Sequence, residues 1–261
     1  MTNGTEVTAG IDIGSTTSKA VILVDGKIAS YFIGPSTVNP RKTARMVYQE
    51  ALSSAGIDEE QVNHIIGTGY GRAKVDFAHE NVSEISCHAK GSHYLLPTVR
   101  TIIDIGGQDT KAISIDESGR VREFAVNDKC AAGTGRFLDF MARTMGLEIE
   151  DMVRTHFEEG DPAMISSMCS VFAESEVINL INEEVPLPSI IKGLHKSIVD
   201  RISTLARRAG LEEDIVITGG VAKNRGVVET LESALGYKFV SLPENVDPQS
   251  VGALGAAVYR L

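Results

Sequence analysis

Cysteine is scarce in this chain. Its 261 residues include three cysteines, Cys87, Cys130 and Cys169. A small and odd number of cysteines argues against a framework of disulfide bonds, which joins thiols in pairs. The role of these thiols must therefore lie in burial, reactivity or metal binding.

Long apolar runs, basic tracts and flexible linkers are also missing. No apolar run approaches the roughly 20 residues that a membrane span needs. Residues 1–6 carry neither the basic region nor the apolar core of a signal peptide. The formal net charge of −10 disfavours nucleic acid and anionic membranes as partners. We therefore expect a cytoplasmic protein that binds neither nucleic acid nor membrane.

The chain does contain a strand–turn–strand motif that occurs twice. Both copies consist of an apolar stretch, Asp-Ile-Gly, four small or polar residues, a lysine and a second apolar stretch. The equivalent residues are Asp12 and Asp104, Gly14 and Gly106, Thr17 and Asp109, and Lys19 and Lys111. An internal duplication of this kind indicates two related half-domains that face one anionic ligand.

The turns of both copies suit a phosphate group. Glycine has no β-carbon, so the backbone can turn tightly and bring its N–H groups close to phosphate oxygens. Asp12 and Asp104 would repel a phosphate unless Mg²⁺ or its water shell lies between them. Two ordinary hairpins with tight turns are the alternative explanation, and a Walker A loop is absent. Further side-chain donors are Ser15, Thr16, Thr17, Gln108 and Thr110.

A third glycine-rich turn follows a strand-like run at residues 215–218. Gly219 and Gly220 lie between that run and a helix that we predict to begin near Ala222. A strand, a glycine pair and a helix N-terminus in this order allow close approach to a nucleotide. The pattern is common in turns of this type, so its position after the two hairpin motifs is what makes it informative.

Strand-like and helix-like segments alternate along the chain, which predicts an α/β fold. Glycine and proline mark the helix boundaries. The predicted helices run from Pro40 to Gly56, from Thr134 to Gly146, and from about Val171 until Pro186 and Pro188 end it.

The duplication predicts two lobes. Residues 1–100 form the first lobe, with the first phosphate motif, and residues 101–261 form the second, with the other glycine turns, Cys130 and Cys169. A terminal helix near 248–261 is rich in small residues, which allow tight packing, and is expected to cross back to the first lobe.

In their order, the three glycine motifs resemble the first phosphate, second phosphate and adenosine motifs of the sugar kinase, actin and heat-shock chaperone ATPases. That resemblance implies two ribonuclease-H-like lobes, with mixed sheets flanked by helices, that close over ATP or ADP. It implies that Asp12 and Asp104 hold Mg²⁺ through water, and that Asp104 and Gln108 are catalytic, with Gln108 orienting the attacking water. The residues assigned to cofactor binding are Gly14, Ser15, Thr16, Thr17, Lys19, Gly106, Gly107, Gly133, Gly135, Gly219, Gly220, Lys223 and Asn224.

Cys130 and Cys169 each precede a predicted helix. A helix N-terminus offers free N–H donors and a partial positive charge, which stabilise a thiolate or an anionic sulfur cluster. Two thiolates cannot complete a four-sulfur site, but a two-fold homodimer would supply the same pair twice. From the residues alone, a small buried core residue remains the alternative for each cysteine.

Two segments around these cysteines, residues 127–135 and 168–177, resemble one branch of the superfamily. That branch comprises the ATP-dependent activators of 2-hydroxyacyl-CoA dehydratases, which are related to the ATP-binding subunits of benzoyl-CoA reductase. The resemblance implies one 4Fe–4S cluster per homodimer, held by Cys130 and Cys169, whereas Cys87 is expected to be structural. It implies that a ferredoxin or flavodoxin reduces the cluster, and that ATP hydrolysis drives one low-potential electron onward to a dehydratase.

Three alternatives to such an activator remain at this point. The chain can be a small-molecule kinase of the same superfamily, the ATP-binding subunit of a benzoyl-CoA-type reductase, or a non-redox ATP-binding regulator. Kinases of the superfamily usually carry inserted substrate-recognition segments, for which a chain of 261 residues leaves no room.

Overall fold

A computed structural model describes residues 5–166 and 169–260. Met168, in the second cysteine motif, and Leu261, at the end of the predicted terminal helix, lie outside the described residues. The strands in chain order are β1 (Val7–Ile13), β2 (Thr17–Val24), β3 (Lys27–Pro35), β4 (His64–Thr68), β5 (Glu80–Asn81), β6 (Thr101–Ile105), β7 (Thr110–Ile115), β8 (Val121–Asn127) and β9 (Ile215–Thr218).

Helices alternate with these strands, as the sequence predicts. In chain order they are α1 (Pro40–Ala55), α2 (Glu84–Leu95), α3 (Gly135–Thr144), α4 (Ile149–Thr155), α5 (Ser170–Asn182), α6 (Leu187–Arg208), α7 (Arg225–Leu235) and α8 (Val251–Ala257). The predicted α/β class is thereby confirmed. Among the described residues, no helix combines the length and the apolar character that a bilayer crossing requires.

The chain divides into two compact units. Unit 1 comprises residues 1–102, 115–122 and 241–261, and unit 2 comprises residues 103–114 and 123–240. Residues 115–122 and the C-terminal segment belong to unit 1 although they follow residue 100, and for the C-terminal segment this return was expected. There α8 packs against α2 and β1, and the Thr8 hydroxyl donates to the Ala257 carbonyl at 2.9 Å. The small residues of α8 are all buried, as such close packing requires.

The two sheets have the same strand order around the repeated hairpins. The first sheet runs β3-β2-β1-β4-β5, and the second runs β8-β7-β6-β9. In the first, β1 is antiparallel to β2 and parallel to β4. Each hairpin motif thus lies beside a strand from later in the chain. The duplication read from the sequence is present in the topology.

Each unit has its own apolar core. In unit 1, α1 covers one face of the sheet, with Val47 and Tyr48 packed against Ile11. In unit 2, the sheet residues Ile103 and Ile105 pack with the apolar faces of α3, α6 and α7. These cores hold the strand ends that carry the polar motifs.

Helix boundaries follow the predicted signals with one correction. The helix α1 begins at Pro40, after the N-cap Asn39, and ends at Gly56, whose φ of 66° is left-handed. The prediction for the two later prolines was incomplete. The helix α5 already ends at Asn182, whereas Pro186 is the N-cap of α6 and Pro188 lies in its first turn. Proline suits a first turn because the N–H that it lacks would have no helical partner there.

Candidate functional site

The first phosphate motif places an acid beside a lysine. The register of β1 and β2 sets Asp12 opposite Lys19, and the Lys19 ammonium nitrogen lies 3.5 Å from the Asp12 carboxylate. The same ammonium group donates to the Thr17 carbonyl at 3.3 Å. Asp12 is only 6% exposed. A buried carboxylate needs a compensating charge, and Lys19 supplies it.

The second phosphate motif repeats this geometry in unit 2. The Lys111 ammonium nitrogen lies 3.3 Å from the Asp104 carboxylate and 2.8 Å from that of Asp109. The Lys111 side chain is 3% exposed, so this ion pair is shielded from water. One lysine faces two carboxylates, and this arrangement leaves negative charge beside the glycine turn that can attract a cation.

The glycine directly after a neighbouring strand lies against each acid. Gly69 follows β4 with φ +86°, and Gly219 follows β9 with φ +84°. A β-carbon on Gly69 would lie 2.2 Å from the Asp12 carboxylate, and one on Gly219 would lie 2.9 Å from that of Asp104. Only glycine therefore fits beside either acid. The sequence analysis predicted Gly219 as a site residue but did not predict its contact with Asp104.

Sequence reasoning missed Thr218 as a positioning residue. Its hydroxyl donates to the Asp104 carboxylate at 2.9 Å and is fully buried. The signal that could have revealed it is the dipeptide Thr-Gly at the end of both β4 and β9, where the threonine is the last strand residue. Lys111 and Thr218 thus hold Asp104 from two sides, and the orientation of its carboxylate is set before any ligand arrives.

The glycine pair of the second phosphate motif is tied to the start of α3. The Gly135 N–H donates to the Gly106 carbonyl at 2.9 Å, and the Arg136 N–H donates to the Gly107 carbonyl at 2.8 Å. When the Gln108 amide is oriented with its oxygen toward Arg136, that oxygen accepts from the guanidinium at 2.8 and 3.1 Å. Arg136 is exposed and was not among the predicted site residues. The turn and the helix therefore form one hydrogen-bonded segment.

The first turn is more open. Thr16 is exposed, and Gly14, Ser15 and Thr17 are partly exposed, so their donors can reach a ligand. The Gln249 amide nitrogen, from the C-terminal segment of unit 1, lies 3.3 Å from the Thr17 hydroxyl. Gln249 is a further neighbour of this motif that the sequence analysis missed.

Asn224, in the adenosine motif, is buried and anchored at both ends of its amide. A short 3₁₀ turn follows Gly219, and α7 begins with Asn224 as its N-cap. Its amide oxygen accepts from the Val227 N–H at 3.1 Å, and its amide nitrogen lies 3.4 Å from His195 Nε2. Lys223 is exposed instead. Of the two, only Lys223 has an exposed side chain.

A pair of histidines, the buried His195 and the partly exposed His156, supports Asn224. Nδ1 of His195 lies 2.9 Å from Nδ1 of His156. Burial, with a smaller contribution from His156, lowers the pKa of His195 to about 3. The ring is therefore neutral at physiological pH. Because the Asn224 amide donates to Nε2, that atom carries no proton and Nδ1–H donates toward His156.

Cys130 lies in a loop held by three side chains. The Asn127 amide donates to the carbonyls of Cys130 and Ala132 at 3.0 and 3.1 Å. The Thr110 hydroxyl donates to the Gly133 carbonyl at 2.5 Å, and an Arg201 guanidinium nitrogen lies 3.7 Å from the Cys130 sulfur. Cys130 precedes α3, but the N-cap of that helix is Thr134. The loop, rather than the helix end, sets the position of the thiol.

The other two cysteines differ sharply in environment. Cys169 is the N-cap of α5, as predicted, and its side chain makes no capping hydrogen bond. Cys169 and Cys130 are both partly exposed. Cys87 is fully buried on α2, and burial raises the pKa of its thiol to about 12. Cys130 and Cys169 are therefore accessible to a metal, whereas Cys87 is a core residue.

The fold is one that sugar kinases share. A hexokinase from Thermus thermophilus shares the fold, with a TM-score of 0.52 over 97% of each chain at 14% identity. The chain belongs to the BadF/BadG/BcrA/BcrD ATPase family, whose model matches residues 9–259.

The chain is also similar to named dehydratase activators over nearly its whole length. It is 48% identical to the activator of lactoyl-CoA dehydratase from Anaerotignum propionicum, over 97% of this chain and 96% of that protein. A solved structure of the 2-hydroxyisocaproyl-CoA dehydratase activator from Clostridium difficile, with bound ADPNP, has a TM-score of 0.90 at 40% identity and covers 97% and 93% of the two chains. Component A of (R)-2-hydroxyglutaryl-CoA dehydratase from Acidaminococcus fermentans gives 0.89 at 42% identity and covers 97% of each.

Proposed function

We propose that this protein is an ATP-hydrolysing activator that passes one low-potential electron to a 2-hydroxyacyl-CoA dehydratase. The observation that carries this proposal is the pair of accessible cysteines, Cys130 and Cys169, in a family ATPase 48% identical to such an activator. A kinase has no need of two such thiols outside its phosphate motifs.

The two hairpin motifs would hold ATP and Mg²⁺. Mg²⁺ keeps most of its waters and takes one or two carboxylates from a protein, which fits Asp12 and Asp104. Lys19 and Lys111 orient these carboxylates by their ion pairs. The glycine turns would supply N–H donors to the phosphates, and Gln108 would orient the attacking water. Hydrolysis would then depend on positioning and charge neutralisation.

Cys130 and Cys169 would hold a 4Fe–4S cluster. Thiolates are the usual ligands of such clusters, and the bound group supplies one-electron transfer at low potential. One chain offers two suitable thiols, and its described residues contain no group of three or more histidines, cysteines or acids placed to hold a metal. A homodimer with the cluster on its two-fold axis would provide all the required ligands.

An apolar face on α5 supports this dimer. Val171, Phe172, Ile178 and Ile181 are 44–65% exposed, whereas Ala173 and Val177 of the same helix are buried. Large exposed apolar patches mark interaction sites. Because Cys169 caps the same helix, a second copy docked on this face would bring its own cysteines close to the first pair.

The chemistry of the partner explains why an electron is needed. The hydrogen β to the thioester carbonyl of a 2-hydroxyacyl-CoA is not acidic, so simple elimination of water is unfavourable. Addition of one electron to the thioester carbonyl gives a ketyl radical that expels the hydroxyl group from the neighbouring carbon. The β-hydrogen of the radical that remains is acidic, and its loss as a proton, followed by release of the electron, completes the loss of water. A reduced ferredoxin or flavodoxin would supply the electron, and ATP hydrolysis would provide the additional driving force.

An activation assay tests the proposal. Anaerobically purified protein, a chemical reductant and a 2-hydroxyacyl-CoA dehydratase are combined with and without Mg-ATP. We expect dehydration only when ATP and reductant are both present. ATP consumption that starts only when a small-molecule acceptor is added would instead show a kinase. Permanent copurification with reductase subunits would indicate the benzoyl-CoA-type role.

A further inference from the structure

The sulfur of Cys130 has a cationic neighbour from a distant part of the chain. Arg201 lies on α6, and its guanidinium nitrogen is 3.7 Å from the Cys130 sulfur, within the range of an N–H···S hydrogen bond. The guanidinium group keeps its charge at any physiological pH. Neither the phosphate motifs nor the cysteine motifs contain this residue, so the sequence reasoning did not include it.

The structure holds Arg201 in this position from both sides. A β-carbon on Gly133 would lie 3.5 Å from Cβ and Cδ of Arg201, so the arginine stem runs along the Cys130 loop. On the other side, Ile198 and Ile202 of α6 are buried in the core of unit 2. A charged group carried by a packed helix and a packed stem presents its N–H donors in a narrow range of directions.

We propose that Arg201 is a positioning residue that donates to the Cys130 sulfur and raises the reduction potential of the iron–sulfur centre. The inference rests on the proposed function, which places the cluster on Cys130. Hydrogen bonds and positive charge at a ligating sulfur favour the more negative, reduced state and are among the factors that set cluster potentials. Arg201 would thus help to set how readily the electron donor can load the protein.

Arg208 offers a matched control on the same helix. Both arginines line one cleft of about 370 Å³ in unit 2, so replacing either removes one positive charge from the same surface. In the part of the chain that the structure describes, the hydrogen bond to the Cys130 sulfur comes from Arg201. A general effect of lost positive charge would shift the reduction potentials of both the Arg201 and the Arg208 variant. A contact at the sulfur would shift only the potential of the Arg201 variant.

The test is a redox titration followed by electron paramagnetic resonance. Wild type, Arg201→Met, Arg201→Lys and Arg208→Met are purified anaerobically as dimers, and iron is assayed in each. We expect the potential of Arg201→Met to shift to more negative values, that of Arg208→Met to match wild type, and that of Arg201→Lys to lie between. Methionine keeps the apolar stem but lacks both charge and donors, and lysine restores the charge without the planar fork.

Several outcomes would separate this inference from the proposed function. Iron-bound Arg201→Met with the wild-type potential, or an equal shift in Arg208→Met, would overturn the role of Arg201 alone. Wild-type protein without iron would instead overturn the cluster. If Arg201→Met loses iron but keeps its unfolding temperature, Arg201→Lys must regain the iron to support a positioning role, and its failure to do so would refute that role.

Discussion

The buried His195 makes the stability of the protein depend on pH. His195 is fully buried on α6, and burial followed by the influence of His156 lowers its pKa from 6.5 to about 3. Unfolding exposes the ring to water and restores a pKa of about 6.5. Between these values, the unfolded chain binds a proton that the folded chain excludes.

The sign and size of the effect follow from this difference. Stability is highest above the unfolded-state pKa and falls as pH decreases below about 6.5, until the folded-state pKa is reached. At about pH 5, roughly 1.5 units below the unfolded-state pKa, the cost is about 2 kcal/mol relative to neutral pH. Burial also lowers the pKa of His156, so the second ring contributes with the same sign.

Urea unfolding of the nucleotide-free protein at about pH 7 and about pH 5 measures this cost. His195→Gln removes the titrating ring. We therefore expect its free energy of unfolding to fall by about 2 kcal/mol less than that of wild type between the two pH values. His64→Gln, at an exposed histidine on β4, is the matched control and should retain the full loss. Equal losses in wild type and His195→Gln would refute the reasoning.

Five further variants test individual roles. Gln108→Ala should slow ATP hydrolysis by about 10²-fold at saturating ATP, the usual effect of losing a proton-transfer or water-orienting group. An unaltered rate would exclude that role. Cys130→Ser and Cys169→Ser should each abolish iron binding, whereas Cys87→Ser should keep it because that thiol is buried; iron retained in both of the first two would refute the ligand assignment. Phe172→Glu places a charge on the exposed face of α5 and should shift the protein from dimer to monomer in sedimentation velocity.

Matched controls exist for two of these variants. Gln61→Ala changes an exposed glutamine in unit 1 and should leave the ATPase rate as in wild type. Phe124→Glu changes a phenylalanine on β8 that is 50% exposed and should leave the dimer intact. Dissociation by both phenylalanine variants would show that α5 is not the specific interface.

Local signals were sufficient for the repeated hairpins and several helix ends. A tight turn that approaches phosphate requires glycine at a fixed sequence spacing from the acid. The motif therefore consists of neighbouring residues and can be recognised in the sequence. The helix α1 likewise begins at a proline after a capping asparagine and ends at a glycine with positive φ. Such features depend on residues a few positions apart, and a single sequence shows them directly.

Contacts between distant segments could not be predicted in the same way. The Thr218 hydroxyl meets Asp104 across 114 positions, and Arg201 meets Cys130 across 71. Neither pair shares a motif, since packing of complete elements brings them together. The role of Pro188 was misjudged because proline both ends helices and begins them, and only the N-cap at Pro186 distinguishes the two.

The central claim is that two copies of this chain share one iron–sulfur cluster through Cys130 and Cys169. The most direct measurement is an iron and sulfide assay, together with the molar mass in solution, on protein purified without oxygen. The account predicts a brown dimer with about four irons and about four sulfides. A colourless monomer without iron would contradict it.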